Sequence, residues 1–99
     1  MYQIKAKENF SYKKAISDEG TLYLVGGKAF LVTHKNSIEV RTDARLGKLL
    51  TEKYESVMQS RYFGRGGIEI VLAGQLTEAD LDDLVRLSYN MTEKCAENI

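Results

Sequence analysis

The chain holds one cysteine, one histidine and no proline. A single thiol, Cys95, excludes an internal disulfide and leaves a cysteine-based zinc site without partners. In the last turn of a helix such a thiol is expected as a small apolar residue. His34 is the only imidazole, and no Ser or Cys stands in a recognisable motif with it. The constellation of nucleophile, base and orienting carboxylate is therefore missing, and a non-enzymatic protein is expected, with His34 at an exposed turn. No run approaches membrane-spanning length, and the first residues, Met-Tyr-Gln-Ile-Lys-Ala-Lys, carry no apolar segment of the secretory kind. The expected compartment is the reducing cytoplasm, with no membrane partner. Net charge is zero, which removes any global pull toward nucleic acid or an anionic surface.

What is present suits one globular domain spanning residues 1–99. The apolar fraction of 43% supplies a modest core, where a disordered chain would be poorer. Charge is unevenly spread. Residues 1–67 carry 12 Lys/Arg against 7 Asp/Glu, and residues 68–99 carry 2 against 7. A bipolar chain of this kind yields either one basic and one acidic face or two ordinary solvated surfaces.

Periodicity orders the elements. Residues 2–7 alternate, with Tyr2, Ile4 and Ala6 on one face and Gln3, Lys5 and Lys7 on the other, the pattern of a half-buried strand with a basic outer side. Residues 17–20 read as a turn. Residues 21–25 and 28–33 flank Gly26-Gly27, a strong hairpin signal because both glycines accept the positive φ of a tight primed turn. Residues 37–41 alternate again, with Ile38 and Val40 inward and Glu39 and Arg41 outward. Thr42-Asp43 caps a helix whose apolar positions, Leu46, Leu49, Leu50, Tyr54, Val57 and Met58, fall at spacings of three and four. Gly47 inside it signals either a weak first turn or a close packing partner. A basic, glycine-rich connection over residues 61–67 then leads into an apolar strand, 68–72. Thr77 and Asp80 form a capping box for a second helix with its stripe at Leu81, Leu84, Val85, Ser88, Met91 and Cys95. The expected fold is α+β, with a single antiparallel sheet of about four to five strands packed against two helices.

Gly64-Arg65-Gly66-Gly67 resembles a phosphate cradle in composition only. A P-loop runs from strand to helix, and this stretch is expected to run from helix to strand. Two arginines in a glycine loop still suit anion contact, and a helix cap with a turn is the plainer reading. Tyr62 and Phe63 either stack on exposed bases or pack onto the sheet. Asp80, Asp82 and Asp83 are explained by the helix dipole, so neither metal nor cofactor is expected.

The order of these pieces resembles the MmcQ/YjbR-like family, with the TfoX N-terminal domain as a looser relative. The pieces are Leu22-Tyr-Leu-Val-Gly-Gly-Lys-Ala-Phe-Leu-Val32, Ile38-Glu-Val-Arg-Thr-Asp43, Leu49-Leu-Thr-Glu-Lys-Tyr54, Ile70-Val-Leu-Ala-Gly74 and Leu84-Val-Arg-Leu-Ser-Tyr89. The resemblance implies an antiparallel sheet packed on helices, also called a double-wing DNA-binding fold. Relatives tend to carry a polar His-Trp-type pair where this chain has Gly66-Gly67. The expected function is nucleic-acid binding, to DNA or RNA, through Lys5, Lys7, Arg41, Arg61 and Arg65. The alternative is a protein-interaction or self-associating module, such as a homodimer, that uses an edge strand and the charge split.

Overall fold

The computed structural model describes Tyr2, residues 12–18 and residues 20–97. The expected strand at 2–7, with Lys5 and Lys7, lies outside the described residues except for Tyr2.

Among the described residues six strands and two helices follow in the order β1 Lys13–Ser17, β2 Gly20–Val25, β3 Lys28–Thr33, β4 Ser37–Arg41, α1 Ala44–Lys53, β5 Val57–Ser60, β6 Gly64–Val71 and α2 Glu78–Glu97. All strands pair antiparallel in one open sheet, ordered β1-β2-β3-β4-β6-β5. The fold is α+β as expected, with six strands in place of four to five. The β2–β3 hairpin turns at Gly26 and Gly27, with φ of 59° and 80°, and Val25 pairs with Lys28 across it. Asp43 caps α1 by accepting from the Leu46 N–H at 2.7 Å. The Thr77–Asp80 capping box opens α2, each side chain bonding the other residue's N–H.

Both helices cover one face of the sheet. Ile38 and Val40 of β4 pair with Ile70 and Ile68 of β6, and all four are fully buried in a core shared with Leu81, Val85 and Tyr89 of α2. Gly47 is buried because α1 packs closely on this face: a Cβ there would stand 2.9 Å from Thr42 Oγ1 and 3.6 Å from Ile68 Cγ2. Close packing is thus the reason for the glycine. In β3, Phe30 is bulged, since Tyr23 pairs with Leu31 and Leu24 with Ala29. The bulge brings Phe30 against Tyr89, with ring centroids 5.0 Å apart and planes nearly perpendicular.

Three expectations are corrected. The first helix ends at Lys53 rather than running on to Met58: Tyr54 is already extended, and Val57 pairs with Ile70 on β5. The glycine-rich stretch is not a loop from helix to strand. Arg61–Phe63 form the β5–β6 turn, and Gly64–Gly67 begin β6. Gln59 pairs with Ile68 and Ser60 with Gly64, so residues 65–67 are looped out of the β5 ladder while Gly67 still pairs with Arg41 on β4. Cys95 is exposed rather than part of the apolar stripe.

Candidate nucleic-acid interface

The β6 bulge and α1 face each other across a groove of about 310 Å³. Arg65 projects from the bulge, Lys48 and Thr51 come from α1, and Gln59 comes from β5. Gly67 and Ile68 also line it. Among the described residues no acidic side chain does, so the Arg65 guanidinium and the Lys48 ammonium stand there without a carboxylate among the lining groups. The glycine is fixed by packing: a Cβ on Gly67 would fall 2.5 Å from the Val40 carbonyl and 2.7 Å from Phe63 Cβ. The turn therefore folds tightly onto the sheet, and the bulge that carries Arg65 is held by backbone bonds. Gly66 N donates to Phe63 O, and Thr42 N donates to Gly66 O.

Arg41 and Arg61 occupy the other face of the sheet. Arg41 Nε donates to the Ala29 carbonyl at 2.7 Å, and its guanidinium lies 4.8 Å from the centre of the Phe63 ring. It pins the turn to β3 and β4. Arg61 Nε and Nη2 donate to the two oxygens of Glu69, both at 2.9 Å, although its side chain is 73% exposed. The five expected contacts therefore do not converge. Arg65 alone reaches the groove, Arg41 and Arg61 bind within the fold, and Lys5 and Lys7 lie outside the described residues.

The face that carries Arg61 holds a polar network that residue-by-residue reading missed. Glu39 and Glu69 are directly opposite each other on β4 and β6, and both are buried. Like charges so placed repel unless each is neutralised. Glu69 is held by Arg61 and by the Ser37 hydroxyl at 2.8 Å. Glu39 accepts from Ser60 Oγ and the Tyr62 N–H at Oε1, and from His34 Nε2 at Oε2, at 2.6 Å. Burial pushes the Glu39 carboxyl up. The Tyr62 N–H, His34, Ser60 and the His34 charge outweigh that and hold it below its ordinary value. His34 is consequently not an exposed turn residue but a half-buried partner of a carboxylate. The signal available in sequence was alternation: Glu39 and Glu69 both fall between core positions of a strand.

Among the described residues no group of three His, Cys, Asp or Glu side chains could hold a metal ion, and no helix is long and apolar enough to cross a membrane. Comparison of the chain with family models, curated proteins and solved structures finds no match in any of the three.

Proposed function

We propose that this protein is a non-enzymatic nucleic-acid-binding module that grips phosphates in the groove between α1 and the β6 bulge. The observation that carries this reading is the pairing of Arg65 and Lys48 in a groove with no acidic lining. A guanidinium fork suits two phosphate oxygens, while the lysine ammonium acts as a point charge. The MmcQ/YjbR-like assignment is likewise a proposal, resting on the order of the sequence pieces alone. Binding is expected at low salt, measured by fluorescence anisotropy with labelled single- and double-stranded oligonucleotides. It should weaken toward physiological salt, because phosphate neutralisation releases counterions. Arg65→Glu combined with Lys48→Glu should abolish it. No binding at low salt, or binding indifferent to the double substitution, rules the reading out.

One observation favours self-association as a second reading. Among the described residues β1 pairs only with β2, its five residues are all exposed, and Ile16 is 86% exposed. An exposed outer strand of this kind is a place where a strand of a second copy can add to the sheet. Sedimentation over a range of concentrations should then show a dimer that Ile16→Lys disperses. A monomer at every concentration would remove this reading.

A further inference from the structure

On the face opposite the helices, a cavity of about 380 Å³ lies over Val32 and Glu39, walled by His34 and Tyr62 and rimmed by Asp18 and Arg61. We propose that it accepts a single unstacked nucleobase bearing an exocyclic amine, an inference that rests on the nucleic-acid reading and deepens it.

The volume falls within the usual range of small-ligand sites, about 300–1,000 Å³. Tyr62 is 44% exposed and belongs to a turn that is fastened on both sides, so its ring is a preset stacking surface. Beneath the cavity Val32 is fully buried, so the contact surface is left to Tyr62, His34 and the Glu39 carboxylate. The polar group at the bottom is an acceptor. Among the described residues Glu39 Oε1 receives two donors, from Ser60 and Tyr62, whereas Oε2 receives His34 alone and keeps one lone pair for a ligand. A buried carboxylate selects a ligand edge by its N–H groups. Cytosine, adenine and guanine present an exocyclic amine to such an acceptor. Uracil and thymine present one ring N–H between two carbonyls, and those oxygens repel the carboxylate. Arg61 at the rim stands four residues from Arg65, at most about 14 Å along even an extended chain. The cavity and the phosphate groove open on opposite faces of the sheet and are joined through the residues 61–65 turn.

The test uses nucleosides, which lack phosphate and so bypass the groove. Titration of the 15N-labelled protein with cytidine should shift the amides of His34, Glu39 and Tyr62 saturably. Uridine should bind at least about fivefold more weakly. Tyr62→Ala should weaken cytidine binding by at least about fivefold, and Tyr62→Phe should keep it. Equal responses to cytidine and uridine, no saturable response to either, or cytidine binding untouched by Tyr62→Ala would each overturn the proposal. Oligonucleotide binding that depends on Arg65 and Lys48, without a nucleoside response, would defeat the base pocket and leave the groove standing. A selective nucleoside response without salt-dependent oligonucleotide binding would support the pocket and defeat the groove.

Discussion

Ser88 shows how one hydroxyl closes a gap in the sheet. The β3–β4 ladder ends at the Leu31–Val40 pair, just before the Phe30 bulge of the β2–β3 pair. From α2, the Ser88 hydroxyl accepts from the Arg41 N–H at 2.8 Å and donates to the Phe30 carbonyl at 2.6 Å. Ser88→Ala leaves both backbone groups without that partner in a dry site, so we expect a loss of about 1–3 kcal/mol, read as a lower urea midpoint at unchanged slope. Sequence reading placed Ser88 on the buried stripe of the helix but gave no hint of its partners, because they lie 47 and 58 residues away. Glu39 makes the complementary case in charge. Its carboxyl is held below the ordinary value of 4.5, so its contribution is fully present above that pH and is lost as pH falls through the folded value. Stability measured from neutral to acid pH should therefore fall. In Glu39→Gln that portion of the acid dependence should vanish. An unchanged acid limb in the variant would show that other carboxylates set it.

At the scale of elements, the parts that were legible are those whose signals are local. The Gly26-Gly27 turn, the Asp43 cap and the Thr77–Asp80 box each need only neighbours in the chain. The end of α1 was not legible, because Tyr54, Val57 and Met58 continue a helical spacing with no glycine or proline to stop it. Pairing of Val57 with Ile70 decides the matter, and that is a tertiary event. β1 was missed for a different reason: Lys13-Lys-Ala-Ile-Ser17 buries neither face and so has no alternation to read. The glycines of β6 allow a sharp test of the bulge. Gly67→Ala drives a Cβ against the Val40 carbonyl and Phe63, and is expected to cost about 1–3 kcal/mol by overpacking. Gly66→Ala meets only the Phe63 carbonyl, at an ordinary 3.5 Å, and should be nearly silent in the same denaturant titration. Similar losses at both positions would mean that the turn is not packed as described.

For the molecule as a whole, zero net charge limits what electrostatics can supply, so any polyanion must be held by local arrangement. The chain's charge split hinted at a basic region but not at which cations would be drawn inward. Arg41 and Arg61 are bound to the sheet and turn, and this depends on strand register, which no local pattern revealed. No local pattern singles out Lys48, because its place beside Arg65 comes from α1 packing against a bulge that only the folded sheet creates. That leaves two groove cations, and their number sets a quantity. With two phosphates neutralised, the logarithm of the binding constant should fall against the logarithm of salt with a slope of about −1.4 for a single strand or −1.8 for a duplex. Replacing Arg65 alone by Gln should reduce the slope by about one half and leave the denaturant midpoint in place, since Arg65 is exposed. A slope of about −4 or steeper would mean that further cations share the contact. In that case the interface extends well beyond the groove between α1 and β6.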